Sequence, residues 1–188
     1  MSEYQDEPVL QDLKVVLSEA GSKGIVTGHA SSEEGQTDES STAEKNAYAE
    51  WEALGEQLLQ PIYQAEHAKT QAEYEEAYDR VFEELDLLEN RIGSKDYLVE
   101  NQLTIADVRL YSVLVRFNII YYFAFRLNRS QIQDYPNLWR YVRQLYAREE
   151  FRKVTDFEAL KQEYYGNQSD IQNPYHIIAN GPDMADWG

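Results

Sequence analysis

The longest apolar run of the chain opens at Ile105 and continues to Phe125. Val108, Leu110, Tyr111, Val113, Leu114, Val115, Phe117, Ile119, Ile120, Tyr121 and Phe123 fall on every face of a helix drawn through it. A helix apolar all round is a central core helix or a membrane span. A span takes about 20 predominantly apolar residues with few charges, and Arg109, Arg116 and Arg126 interrupt this run. The pattern therefore predicts a core helix around which the rest of the chain is organised. Its start is marked by Thr104 and Asp107, three residues apart as in a capping box, with Asp in place of the usual Glu or Gln. The Thr104 side chain can accept from the Asp107 N–H, and the carboxylate can reach back to the Thr104 N–H. Leu103 and Val108 stand at the two positions of a hydrophobic staple.

The other apolar spacings are also helical. Tyr74, Tyr78, Val81, Leu85, Leu88 and Ile92 recur at intervals of 4-3-4-3-4, a seam suited to antiparallel pairing with the preceding helix. Thr70 and Glu73 form a capping box at its start, and Gly93 suits its end. Upstream, Tyr48, Trp51, Gly55, Leu58 and Ile62 mark a helix from about 43 to 60, and Pro61 predicts a kink or break with Tyr63 beyond it. Downstream, Pro136 fits a first helical turn, and Leu138, Trp139, Val142, Leu145 and Tyr146 form the next buried stripe. Thr155 and Glu158 make a third capping box for a helix running to about Tyr164. Beyond Gly166 the chain is irregular but carries Tyr175, Ile177, Ile178 and Trp187, which predicts that it packs on its own domain or on a second subunit. Pro8, Val9, Leu10, Leu13, Val16 and Leu17 describe a short amphipathic helix, followed by a polar, acidic, flexible linker from Ser31 to Ser41. No stretch alternates as a strand does, apart from the short Ile25-Val26. The expectation is an all-α helical bundle over 43–188, preceded by the short helix and acidic linker of 1–42.

Composition narrows the function. Residues 1–103 hold 24 Asp and Glu against 7 Lys and Arg, which accounts for the whole net charge of −17. That balance argues against nucleic acid, whose phosphates select Lys and Arg. The N-terminus has no basic region leading into an apolar core, so no signal peptide is read there and the cytoplasm is the expected location. With no cysteine in the 188 residues, disulfides, thiolate nucleophiles and cysteine metal sites are excluded. His29, His67 and His176 show no ligand spacing, so no metal is expected. There is no glycine-rich phosphate loop and no nucleophile elbow. What remains is aromatic density: 15 Tyr, 6 Phe and 3 Trp. Tyrosine offers an apolar wall with a polar tip, suited to a flat aromatic ligand bearing oxygens, although core packing accounts for the same residues.

The segment Leu103-Thr104-Ile105-Ala106-Asp107, followed some thirty residues on by Asp134-Tyr135-Pro136-Asn137-Leu138-Trp139, resembles the helical second domain of glutathione transferases. Arg116-Phe117-Asn118, Tyr121, Phe125-Arg126, Asn128, Tyr164-Tyr165-Gly166, Asn173-Pro174 and Gly181-Pro182 resemble one branch, the xi class or glutathionyl-hydroquinone reductases. Tyr63-Gln64-Ala65 and the segment from Thr70 to Leu88 also fit, so the likeness runs from about Trp51 to the C-terminus.

The resemblance implies an electrophile pocket rich in tyrosine, with Tyr63 and one or both of Tyr164 and Tyr165 as matching substrate-binding positions; the expected cleft between them is floored by the central helix near Arg116 and Tyr121. It also implies glutathione or another small thiol as co-substrate and an aromatic or quinone-like substrate. In that family a thioredoxin-like first domain binds glutathione and carries a nucleophilic cysteine. Its thiolate attacks the sulfur of a glutathionyl-hydroquinone, and a second thiol regenerates the enzyme. The chain departs from the pattern at Asn118, where the family has Asp, at Leu127, where it has Cys, and at Asn167-Gln168, where it has Ser-His. No thioredoxin-like half is read in the residues before Tyr48. Two readings stand: the electrophile-site component of a transferase or reductase completed by a thioredoxin-like protein, or a non-catalytic helical binding module, either of them monomeric or a homodimer. Whether the chain is itself an enzyme is left open between them.

Overall fold

The computed structural model describes residues 38–99, 102–167, 173–182 and 187. The predicted amphipathic helix at 8–20, the Ile25-Val26 pair and most of the predicted linker lie outside these residues, as do the side chains of Tyr48 and Trp51. The described part is helical throughout, with one isolated bridge between Val99 and Gln102 and no strand. Helix α1 spans Asp38–His67, α2 Gln71–Ile92, α3 Ile105–Arg116, α4 Tyr122–Ala124, α5 Pro136–Tyr146, α6 Glu149–Val154 and α7 Phe157–Gly166. A π-helical stretch, Phe117–Tyr121, joins α3 to α4, and a 3-10 turn, Ile132–Asp134, precedes α5.

The apolar run sits in the middle, as its pattern predicts. Ten of the twelve residues of α3 are buried, as is every residue of the π stretch. α1 and α5 pack against α3, α2 pairs with α1 and with α5, and α7 closes over the π stretch. The seam of α2 is the buried one: Val81, Leu85 and Leu88 are wholly buried, while Tyr74 and Tyr78 lie half-buried at its start. None of the described helices is long and apolar enough to cross a membrane.

Local chemistry explains most helix ends. The Thr70 hydroxyl accepts from the Glu73 N–H at 3.2 Å, and the Glu73 carboxylate accepts from the Lys69 N–H at 2.8 Å, one residue earlier than a standard box. Gly93 ends α2 at a φ of +50°, where a side chain is strained. Pro136 occupies the first turn of α5. Glu89 on α2 accepts from the Asn137 and Leu138 N–H groups at 2.9 Å each, supplying the anion that a helix N-terminus favours.

Five expectations are corrected. α1 begins at Asp38, inside the predicted linker, and it runs through Pro61 without a break. Its neighbours Ile62 and Ala65 are wholly buried, so packing against α2 and α3 offsets the backbone bond that proline removes. The central helix is α only to Arg116, then π to Tyr121. The third cap is shifted by one residue: Asp156, not Thr155, caps α7, its carboxylate accepting from the Ala159 N–H at 2.9 Å. Thr155 is engaged elsewhere, with its hydroxyl donating to the Phe151 carbonyl and accepting from the Tyr111 hydroxyl, both at 2.7 Å. Finally, the C-terminal segment packs only in part. Trp187 is buried, but Tyr175 is 82% and Ile177 66% exposed.

Candidate functional site

The cap of α3 is a densely bonded, buried polar position. Asp107 is wholly buried. Its Oδ2 accepts from the Thr104 N–H at 2.7 Å and from the Thr104 hydroxyl at 2.8 Å. Its Oδ1 accepts from the Leu98 N–H and from the Tyr141 hydroxyl, both at 2.8 Å. Four donors on one carboxylate offset the cost of removing it from water. The Tyr141 phenol is held well above its ordinary range by burial first and by the adjacent carboxylate second. Thr104 and Asp107 form the capping box at the start of α3, and the partners Leu98 and Tyr141 are additions that the spacing does not reveal.

The second concentration is aromatic. From the π stretch onward the rings form one chain: Phe117 edge-on to Tyr121 at 6.2 Å, Tyr121 stacked on Phe125 at 5.2 Å, Phe125 edge-on to Tyr164 at 5.7 Å, and Tyr164 edge-on to Tyr165 at 5.1 Å. Such pairs stabilise by about 0.5–1.5 kcal/mol each beyond their buried area. The wider π turn presents Tyr121 to this chain, and π stretches recur at functional sites. Two bonds hold the turn that follows: the Leu127 N–H donates to the Tyr121 carbonyl at 3.3 Å, and the Tyr74 hydroxyl donates to the carbonyl of Arg126 at 2.6 Å. Arg126 itself sits at a φ of +59°.

Of the five candidate substrate positions, the structure brings Tyr121, Tyr164 and Tyr165 together through Phe125, a ring that the sequence reading did not assign to the site. Its spacing of four from Tyr121 was the available signal. Tyr63 is half-buried on α1, three residues before Glu66 and on the same face. The Tyr164 hydroxyl reaches Glu66 Oε1 at 3.4 Å, so the end of α1 meets the end of α7. Arg116 is buried on α3, with Nη1 donating to the Ser112 carbonyl at 3.1 Å. Its charge acts on Tyr111, a phenol raised chiefly by burial and partly lowered by Thr155 and by Arg116. The contacts of Arg116 thus lie on the Ser112–Tyr111 side of the core.

The hydroxyl of Tyr165 is buried and has no hydrogen-bond partner. Burial alone pushes its phenol upward, so at neutral pH it is an O–H donor awaiting an acceptor. A buried unpaired hydroxyl costs about 1–3 kcal/mol. Two departures from the family pattern are now explained locally. Asn118, nearly fully buried, donates to the Gln133 side chain and accepts from the Ile132 N–H at 2.9 Å, pinning the π stretch to the 3-10 turn. Leu127 is wholly buried in the core. Among the described residues no cluster of His, Asp or Glu could hold a metal ion. A shallow open groove lies at the α1–α2 turn, lined by Gln64, His67, Glu73, Glu76 and Arg80.

Comparison with known proteins agrees with this architecture. Residues 71–144, from α2 to most of α5, match the family described as glutathione S-transferase, C-terminal domain. The glutathionyl-hydroquinone reductase PcpF of Sphingobium chlorophenolicum is 39% identical over 127 residues, covering 68% of this chain and 40% of that protein. The glutathione-bound structure of YqjG, a glutathione transferase homolog from Escherichia coli K-12, superposes with a TM-score of 0.70 at 32% identity, over 80% of this chain and 49% of that one. The xi transferase of Phanerochaete chrysosporium gives 0.67 at 36% identity, over 79% and 49%. The chain spans about two fifths of the length of the curated relatives it matches. Residues 71–144 are thus a glutathione S-transferase C-terminal domain by the family model, and the helical body around them is similar to that of xi-class transferases and glutathionyl-hydroquinone reductases.

Proposed function

We propose that this domain forms the electrophile side of a glutathione-dependent transferase or glutathionyl-hydroquinone reductase site in the cytoplasm. It would hold a flat aromatic or quinone-type substrate against Tyr121, Tyr164 and Tyr165, with Tyr63 at the margin. The observation that carries this reading is the unpartnered, buried hydroxyl of Tyr165 at the end of a continuous aromatic wall. A neutral phenol in that place can donate to a quinone carbonyl or a hydroquinone oxygen, while the partly exposed Tyr164 ring receives the flat face. Arg116, proposed beside these tyrosines, is held in the core on the Ser112–Tyr111 side.

The chain holds no cysteine, so the thiolate and the glutathione site would come from a thioredoxin-like domain. The attacking thiolate would bond to the glutathionyl sulfur as the ring carbon–sulfur bond breaks, the ring carbon would take a proton and leave as the hydroquinone, and a second thiol would attack the resulting mixed disulfide, carrying glutathione away as a free disulfide and restoring the thiolate. The same absence favours a second reading, in which the domain binds aromatic ligands or a protein partner, a second copy included, without catalysis.

The test is saturation-transfer NMR of the full chain with menadione as probe. Binding that weakens severalfold in Tyr165→Phe supports the site. No transfer to the wild-type chain excludes it. Adding the thioredoxin-like domain of a xi-class transferase and the glutathione conjugate of menadiol separates the two readings, since only the first expects turnover to exceed that of the added domain alone.

A further inference from the structure

Three residues of α7, Phe157, Lys161 and Tyr165, recur every fourth position and so share one face of the helix. Each holds a different part of the C-terminal segment. The Asn173 side-chain amide donates to the Tyr165 carbonyl at 3.2 Å. The Lys161 ammonium donates to the Asn180 carbonyl at 2.9 Å. Trp187 packs on Phe157 with ring centres 5.3 Å apart, and completes a box with Trp139 at 5.1 Å and Tyr146 at 5.8 Å. The three contact points, at Asn173, Asn180 and Trp187, follow α7 from its C-terminal end back to its start.

The contacts are built rather than incidental. Lys161 is only 2% exposed, and its partners are that carbonyl and the Glu158 carboxylate at 3.2 Å. A buried ammonium requires such partners, so the segment supplies a hydrogen bond that water can no longer give. Asn173 closes its own loop as well, bonding the Ile177 N–H and carbonyl at 3.0 Å each. Trp187 is 3% exposed.

We infer that the C-terminal segment is a strap that positions Tyr164 and Tyr165 through α7. Asn173 and Lys161 act as its positioning residues, and the Trp139–Tyr146–Phe157 box as its anchor. The strap bears on α7 at the Tyr165 carbonyl, next to Tyr164, whose ring meets Phe125. Its role in ligand binding rests on the function proposed above; its hold on the two tyrosines does not.

The test uses the full chain with ring-labelled tyrosine, and Trp187→Ala, Asn173→Ala and Tyr175→Ala as variants. Trp187 meets α7 at Phe157, two turns away from Tyr165, so a local effect ends at Phe157. The strap instead predicts that Trp187→Ala shifts the ring signals of Tyr164 and Tyr165 together with the backbone signals of 173–182. It predicts the reciprocal change in the indole N–H signal of Trp187 for Asn173→Ala. Tyr175→Ala, which removes a solvent-facing ring of the same segment, should leave both unchanged. Unmoved Tyr164 and Tyr165 signals in Trp187→Ala, whether or not 173–182 is released, overturn the inference. Menadione affinity, measured in parallel, should fall severalfold in Trp187→Ala. A wild-type chain that binds no menadione sinks the proposed site, and the ring signals alone then decide for or against the strap.

Discussion

The Tyr141 hydroxyl on α5 donates to Asp107 Oδ1 on α3 at 2.8 Å, and both side chains are wholly buried. This bond ties the capping chemistry of the central helix to the neighbouring helix that covers it. Asp107→Ala would leave the Leu98 N–H, the Thr104 N–H and the Tyr141 hydroxyl without their acceptor. A loss of at least about 3 kcal/mol is expected, since removing one member of a buried charged network strands the others. Tyr141→Phe should cost about 1.5–3 kcal/mol, the range for a hydrogen bond to a charged group, and Thr104→Ala about 1–2 kcal/mol. Urea midpoints at constant m-value give the three numbers. Parity of all three with the parent would deny this cap its structural role.

Alkaline pH should unfold the protein through its buried phenols. Tyr141, Tyr111 and Tyr165 are all raised above the ordinary value of 10.0, with burial the largest cause in each. Their contribution to stability is complete below pH 10, where both folded and unfolded phenols are protonated. Above it the unfolded chain loses protons that the folded chain keeps, so stability falls as pH rises toward the folded values. The slope per phenol reaches about 1.4 kcal/mol per pH unit. Tyr111→Phe and Tyr141→Phe should each flatten the decline above pH 10, as read from urea unfolding across the alkaline range. A decline equally steep in both variants would assign it to other groups.

Asn118 is expected to matter for the π stretch more than for any ligand. Asn118→Ala strands the Ile132 N–H and should cost about 1–3 kcal/mol. Asn118→Asp should be milder, because a carboxylate still accepts from Ile132 and the Gln133 amide can rotate to donate. Thermal midpoints of the two variants check this, and an Asp variant worse than Ala would refute the pairing.

The purified chain should show no glutathione-dependent reductase or transferase turnover by itself. The covalent step needs a thiolate, and none of the 188 residues supplies one. Consumption of a glutathionyl-hydroquinone conjugate by the chain with glutathione, above a mock preparation, would contradict this.

What the sequence determined by itself is whatever is encoded within about four residues or by a regular period. The burial of α3 was legible because its apolar residues fall on all faces, and the α2 seam because its spacing alternates three and four. The caps at Thr70 and Thr104, the Pro136 start and the Gly93 stop were legible because their donors and acceptors lie within one turn. The tertiary structure decided what depends on partners far along the chain. Thr155 and Asp156 both suit a cap, and only the Tyr111 hydroxyl, arriving from α3, takes Thr155 out of that role. Pro61 stays inside a helix because α2 and α3 pack around its neighbours. The π stretch leaves no mark in a run that is apolar on every face. Tyr121, Tyr164 and Tyr165 could be singled out by type and by likeness, but their meeting through Phe125, and the strap along α7, follow from packing between elements that no local spacing relates.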